Sequence, residues 1–148
     1  MRLAPKTHQQ LETFFRQYFD DESLKLPIIK IYSGRRANLI TKLIGVDGIT
    51  IGRRIIIKPK LIKPDENNRF CMSKNLLSHE VTHVLQYQKL GFLSFLYKYF
   101  SDYFINLKSR KKLNATARLE SYWEIPHEIE ARDAAKKFVE WIKSENEE

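Results

Sequence analysis

Hydrophobic residues recur at the spacing of a helix face in several parts of the chain. Between His8 and Phe19 the apolar positions are 11, 14, 15 and 18, which form one side of a helix. A longer helix is predicted from about Lys74 to Lys89, because Ser73 can cap its start and Gly91 can stop it.

Further helices follow in the C-terminal half. The segment from Phe92 to Leu107 carries an aromatic stripe that we expect to pack on the preceding helix. A short helix is expected before Trp123, and Pro126 suits the first position of a last helix that runs to about Lys143. The stripe consists of Phe92, Phe95, Leu96, Tyr99, Tyr103 and Leu107.

Short β-branched runs lie in the N-terminal half. Residues 28–32 predict one strand, and residues 49–51 and 55–57 predict a hairpin around Gly52. One or two helical turns are expected between Ala37 and Ile44. The predicted fold class is therefore α+β, with a small N-terminal β region (a strand plus a hairpin) packed on a helical core.

Length and composition narrow the class of protein. A chain of 148 residues favours one domain over 1–148, with a core from about 28 to 143. Cys71 is the only cysteine, so no disulfide forms within the chain. The sequence has neither a run of 18 apolar residues nor the apolar region of a signal peptide. We therefore expect no transmembrane segment and a cytoplasmic location, with export by a route that uses no signal peptide left open.

The chemistry of the chain centres on His79-Glu80-Val81-Thr82-His83, which matches H-E-x-x-H. Histidines four residues apart lie on one helix face, so both imidazoles can bind one ion. Zinc takes imidazole and carboxylate ligands and keeps a position for water, which Glu80 would activate. A chain of this composition contains the motif by chance in about one case in a hundred, so a helix with two surface histidines is the alternative.

A helical wheel divides this segment into three sides. One side is apolar, and a second is polar and includes Ser78 and Thr82. The remaining sector contains the motif's two histidines and its glutamate, together with Gln86 and Tyr87. An apolar side next to a His/Glu side is typical of a helix that forms the floor of a metal cleft.

A third protein ligand is expected from the acidic cluster on the last helix. Glu128 continues an apolar stripe at positions 131, 135, 138 and 142, so its carboxylate should point inward, where a cation would compensate its burial. Glu130 lies on another side of the helix and is the second candidate, and His127 could also replace Glu128. The alternative is that both glutamates merely favour the positive end of the helix dipole.

These features resemble a bacterial family of H-E-x-x-H metallopeptidase-like proteins, also described as the extracellular contractile injection system core domain. The resemblance covers about residues 28 to 135, and the block around the zinc motif is its most specific part. It is carried by residues 28–34 (IIKIYSG), 48–52 (GITIG), 55–57 (III), 76–88 (LLSHEVTHVLQYQ), 90–92 (LGF) and 122–131 (YWEIPHEIEA).

The resemblance implies a gluzincin-like layout on a zincin-like helical core, with a glutamate of a later helix as the third zinc ligand. Its Glu-x-x-Ala pattern falls on Glu128 and Ala131. The family pattern has an aspartate directly after that alanine, whereas this chain has Arg132 there and Asp133 one position later. Support of a ligating histidine by Asp133 is therefore not expected.

The sequence thus predicts a zinc-dependent metallopeptidase that acts on a peptide or protein substrate. The expected metal ligands for Zn²⁺ are His79, His83 and Glu128, and Glu80 is the expected general base. Three further side chains could stabilise an oxyanion, namely Tyr87, Tyr122 and His127. No residues that would bind an organic cofactor are identified.

Two other functions remain open. The metal could stabilise a binding module that cuts nothing, or the basic surface could bind an anionic partner, since the net charge is +8. The basic run consists of Lys108, Arg110, Lys111 and Lys112. No nucleic-acid-binding motif accompanies these residues, which argues against nucleic acid as the partner. The pattern does not indicate an oligomeric state.

Overall fold

The structure, a computed structural model, describes residues 1–64, 70–110 and 114–145. In this part of the chain the helices are α1 (Pro5–Phe19), α2 (Arg35–Ile44), α3 (Lys74–Leu90), α4 (Phe92–Lys108), α5 (Ala115–Trp123) and α6 (Pro126–Ser144). The strands are β1 (Lys30–Tyr32), β2 (Gly48–Ile51), β3 (Arg54–Ile57), β4 (Lys63–Pro64) and β5 (Phe70–Cys71). The fold is α+β, as predicted.

Local signals set the ends of α3 as the sequence predicted. The Ser73 hydroxyl accepts a hydrogen bond from the Leu76 backbone N–H at 3.2 Å and so caps the first turn. Gly91 has a φ of 80°, a left-handed value that favours glycine, and it ends α3 just before α4 begins. By contrast, α2 has 10 residues and is longer than the one or two turns expected.

The predicted hairpin is confirmed and forms part of a three-stranded sheet. β2 and β3 are antiparallel, and β1 joins β3 in parallel, which gives the order β1-β3-β2. Ile55 and Ile57 of β3 are fully buried, so the middle strand faces the core. β2 is an edge strand, and it contacts α3.

The hydrophobic core lies between the sheet and helices α1, α3 and α6. Leu11, Phe14 and Phe15 of α1 belong to this core, together with Val81 of α3 and Phe138 of α6. The hydrophobic core therefore includes side chains of α1, which lies before residue 28. α1 packs on α6, where the Phe14 ring lies 5.1 Å from the Phe138 ring, measured between ring centres.

α3 is buried on more sides than its wheel suggested. Ser78 and Thr82, which form part of its polar side, have no solvent exposure. Their hydroxyls donate to carbonyls one turn earlier, Ser78 to Lys74 at 2.8 Å and Thr82 to Ser78 at 2.8 Å. Because these hydroxyls find their hydrogen-bond acceptors within α3, the two residues can be buried against neighbouring elements, which include α6 and β2.

α4 packs with the predicted side inward, but that side is only partly covered. Of the predicted stripe, Phe95 is buried, and Phe92 is 48% exposed. The other stripe residues, Leu96, Tyr99, Tyr103 and Leu107, are partly buried. Within the described residues no helix has the length and apolar character that a membrane span requires.

Candidate metal centre

α3 brings His79 and His83 together, one helical turn apart. Their Nε2 atoms are separated by 3.3 Å. His83 is buried, whereas His79 is partly exposed. The pair is therefore enclosed by protein at one end and reachable from solvent at the other.

α6 supplies a carboxylate to both histidines. Glu128 Oε2 lies 3.4 Å from His79 Nε2, and Glu128 Oε1 lies 3.3 Å from His83 Nε2. Glu128 is 2% exposed, and the stripe residues Ala131 and Ala135 are buried as well. The inward direction inferred from the stripe is thus confirmed, while the role of Glu128 as a ligand stays a prediction.

The spacing of these donor atoms fits a tetrahedral cation. Ligands about 2.0–2.1 Å from a zinc ion in tetrahedral geometry lie roughly 3.3 Å from one another. The two Nε2 atoms lie 3.3 Å apart, and each lies 3.3–3.4 Å from a different oxygen of Glu128. With one donor atom taken from each residue, the three atoms lie within 4.8 Å of one another. His79, His83 and Glu128 can therefore hold a metal ion. Two imidazoles and a carboxylate form one of the ligand sets found in catalytic zinc sites.

The charges of the cluster favour an ionised Glu128 and shift the pKa of His83 upward. Burial alone would raise the pKa of Glu128, but hydrogen bonds from His79 and His83 outweigh burial and hold this pKa far below its usual range. Burial would likewise lower the pKa of His83, but the hydrogen bond and charge of Glu128 raise it. A cation that replaces the histidine protons meets a carboxylate that is already ionised.

Two tyrosines hold the two oxygens of Glu128. Tyr99 of α4 donates to Oε1 at 2.7 Å, and Tyr122 of α5 donates to Oε2 at 2.9 Å. Burial, and then the charge of Glu128, raise the pKa of both tyrosines far above its usual value, so both stay protonated donors. Tyr122, an oxyanion candidate in the sequence, therefore has its hydroxyl directed at Glu128.

Arg132 places a positive charge near the same carboxylate. Its Nη1 lies 4.0 Å from Glu128 Oε2, at the i,i+4 spacing that brings side chains together on a helix. The guanidinium lies over the Trp123 ring, 4.5 Å from the ring centre, and Nη2 donates to the Trp123 carbonyl. Arg132, which stands where the family pattern has an aspartate, thus places a positive charge close to the Glu128 carboxylate. The sequence alone did not indicate this role.

The Glu80 carboxylate is held against β2. Thr50 donates its hydroxyl to Glu80 Oε2 at 2.7 Å, and Glu80 is 4% exposed. Gly48 makes room for the other oxygen, because a Cβ at position 48 would lie 2.7 Å from Glu80 Oε1. The charge of Glu80 also helps to raise the pKa of His83, so Glu80 acts on the same cluster.

Three residues near the motif lie outside the donor group. Glu130, the second ligand candidate, accepts a hydrogen bond from Gln86 at 2.7 Å. The His127 ring packs on Phe95, with 5.1 Å between ring centres. Asp133 accepts from the Tyr18 hydroxyl at 2.8 Å and contacts neither motif histidine, in line with the departure noted in the sequence.

Tyr87 belongs to an aromatic cluster. Its ring lies 5.4 Å from that of Phe92 and 4.0 Å from that of Phe95, measured between ring centres. Burial raises the pKa of Tyr87 to about 12. The structure therefore assigns Tyr87 a packing role, although it shares the wheel sector of the histidines.

Part of the basic run is paired with acidic residues. Arg110 lies 2.9 Å from Glu120 Oε2 and 2.6 Å from Glu124 Oε1, which links the end of α4 to α5. Lys111 and Lys112 lie outside the described residues.

Comparison with known proteins identifies the family. The sequence model of the eCIS core domain matches residues 2–91, which is more than half of the chain. The chain belongs to the eCIS core domain family. The matched segment of this eCIS core domain protein contains the H-E-x-x-H motif, Gly48 and Thr50, and it ends at Gly91. No curated protein and no solved structure matches the chain. Glu128, Tyr99 and Tyr122 lie beyond the matched segment, so they are assigned to the candidate site on their geometry.

Proposed function

We propose that this eCIS core domain protein is a zinc-dependent metallopeptidase. The observation that carries the proposal is the cluster of His79, His83 and Glu128, in which one donor atom from each residue lies within 4.8 Å of the other two. Glu80, the residue next to His79, acts electrostatically on the same cluster, because its charge helps to raise the pKa of His83. Two imidazoles, one carboxylate and an adjacent glutamate are the parts that peptide hydrolysis by a metal-activated water requires.

A bound zinc ion would supply Lewis acidity, which polarises a substrate carbonyl and makes a water molecule more acidic. Glu80 would accept the proton from that water. Thr50 already binds Glu80 Oε2, and among the described residues no donor binds Oε1, so Oε1 is the oxygen available to the proton. Tyr99, Tyr122 and Arg132 hold Glu128 in place during this step.

The surroundings of Glu80 also support a peptide as the substrate. β2 contains both Gly48 and Thr50, and in the described residues no strand pairs with its outer edge. An extended peptide can add to such an edge through main-chain hydrogen bonds. A substrate bound in this way would lie next to the Glu80 carboxylate.

The proposal is tested by metal analysis and by digestion of a peptide library. We expect about one equivalent of zinc in the purified protein and less than about half an equivalent in His79→Ala, which lacks one imidazole. Glu80→Gln should keep its zinc and lose cleavage by about 100-fold or more, because it removes the proton acceptor. Wild-type protein without zinc, or zinc that is unaffected by His79→Ala, would refute the metal site.

The second candidate function is a zinc-stabilised binding module without catalysis. This function is favoured by the hydrogen bonds that Glu128 of α6 accepts from tyrosines of both α4 and α5. A metal ion bound by Glu128 and the α3 histidines would therefore stabilise the packing of these four helices. The same digestion separates the two functions. Full zinc content with no cleavage of any library peptide would support the binding module and reject the peptidase.

A further inference from the structure

The Nδ1 side of the His83 ring takes part in a chain of hydrogen bonds that no proposed catalytic step uses. Its Nδ1 atom lies 2.8 Å from Gln86 Oε1. Gln86 Nε2 in turn donates to the His127 carbonyl at 3.0 Å and to Glu130 Oε2 at 2.7 Å. His83 and Gln86 are both buried, at 6% and 5% exposure.

The partners of Gln86 decide which way its amide points. A carbonyl oxygen and a carboxylate oxygen can accept hydrogen bonds but cannot donate them, so the NH₂ group of Gln86 must face His127 and Glu130. The opposite orientation would direct Oε1 at two acceptors. The network therefore places Oε1 against His83, which is the way such amides are assigned.

This orientation also decides which nitrogen of His83 carries a proton. Gln86 Oε1 accepts only, so His83 Nδ1 must be the protonated nitrogen that donates to it. Nε2 is then the nitrogen that a cation can bind in place of the proton it shares with Glu128, and it is the atom that faces Glu128 and His79. A reversed amide would donate to Nδ1 and leave the proton on Nε2, where it blocks a metal.

We propose that Glu130 and Gln86 form a positioning relay that keeps the Nε2 atom of His83 available to the metal. Glu130 binds one end of the Gln86 amide, and the other end selects the His83 tautomer. Glu130 thus influences the affinity for zinc without touching the metal or a histidine. Its carboxylate lies in the wall of an open cavity of about 850 Å³, on the far side of Gln86 from the histidines. The relay rests on the metal site of the proposed function and does not require peptidase activity.

The test measures zinc affinity directly, by competition with a chromophoric chelator, in the full chain. Glu130→Gln replaces the acceptor with a group that can also donate, so only the His127 carbonyl still requires the present orientation of the Gln86 amide, and we expect zinc affinity to fall about tenfold. Glu140→Gln removes the same charge from an exposed position on α6 and should leave the affinity within twofold.

A reciprocal exchange provides the sharper readout. Gln86→Glu places a second carboxylate against Glu130 and should weaken zinc binding, because two carboxylates cannot share a hydrogen bond when both are ionised. In the double variant Gln86→Glu/Glu130→Gln, the new carboxylate accepts from His83 Nδ1, as the Gln86 amide oxygen does in wild type, and the new amide at position 130 donates to that carboxylate. We expect the double variant to recover zinc affinity to within about threefold of wild type.

The tautomer itself is visible by ¹⁵N NMR of the histidine rings. In the zinc-loaded wild type, the His83 proton is expected on Nδ1. Glu130→Gln with wild-type affinity, a double variant no better than Gln86→Glu, or a His83 proton on Nε2 would overturn the relay and leave the metal site standing. Wild-type protein that binds no zinc at His79 and His83 would overturn both.

Discussion

The position of the Glu80 carboxylate depends on two small residues of β2. Thr50 binds one oxygen, and the missing side chain of Gly48 leaves space for the other. No positive φ is involved at Gly48, since the glycines with left-handed backbone are Gly45, Gly52 and Gly91. The glycine is needed here for the close approach of a buried carboxylate to the strand.

Gly48→Ala should therefore destabilise the protein and displace Glu80. The new Cβ would lie 2.7 Å from Glu80 Oε1, closer than van der Waals contact allows, and Glu80 is buried with little room to move. We expect a loss of about 1–3 kcal/mol in the free energy of unfolding, measured in urea, which is the usual cost of overpacking. Gly34→Ala is the comparison variant, because its Cβ meets no atom within 4 Å and any loss there comes from the N-cap position of α2. A Gly48→Ala variant as stable as wild type would contradict the close contact.

Single residues could be predicted where the helix alone determines their neighbours. His79 and His83 follow from i,i+4 spacing, and the inward direction of Glu128 follows from its apolar stripe. Thr50 and Tyr99 could not be found in this way. Thr50 lies 30 positions from Glu80 and Tyr99 lies 29 positions from Glu128, so only tertiary packing brings them together. Neither residue stands out by type or spacing before the fold is known.

Among the elements, α4 has two unequal apolar sides. Phe95 points inward, 4% exposed, and its ring lies near those of Tyr87, Tyr99 and His127. The opposite side carries an exposed apolar stripe at the same spacing, which is formed by Leu93, Tyr97, Phe100 and Phe104. Periodicity identified α4 as a helix and chose the correct inward side, but it did not reveal that the other side is also apolar.

Two phenylalanines of α4 should consequently differ in their contribution to stability. Phe95→Ala removes a buried ring, and we expect it to cost about 3–5 kcal/mol. Phe100 is 52% exposed, and Phe100→Ala should cost about 1 kcal/mol or less. Urea unfolding of both variants measures the difference on one helix with one type of substitution. Similar losses would mean that the outer stripe is covered in the native protein.

At the scale of the whole molecule, the candidate site joins elements that are distant in the sequence. α3 provides two histidines, α6 provides Glu128, and α4 and α5 each provide a tyrosine that holds it. The core beneath the site connects α3 and α6 to α1 and to the sheet. The α+β class and the helix order could be predicted from hydrophobic spacing. The convergence of α3, α4 and α5 on one carboxylate of α6 could not be predicted, because spacing along a helix does not say which neighbouring elements cover each of its sides.

Zinc should therefore stabilise the entire fold, and chelation should weaken it. A ligand that binds only the folded state adds about 2.7 kcal/mol of stability when its free concentration is 100 times its Kd. For a chain of this size, 1 kcal/mol shifts the melting temperature by about 2–4 °C, so we expect zinc to raise the Tm by about 5–11 °C. Glu80→Gln should show the same shift because it keeps all three ligands, while His79→Ala should show almost none. A chelator should return wild type to the Tm of the metal-free protein. A shift of equal size in His79→Ala would mean that zinc stabilises the protein from some other site, and the group of His79, His83 and Glu128 would then have no part in holding the helices together.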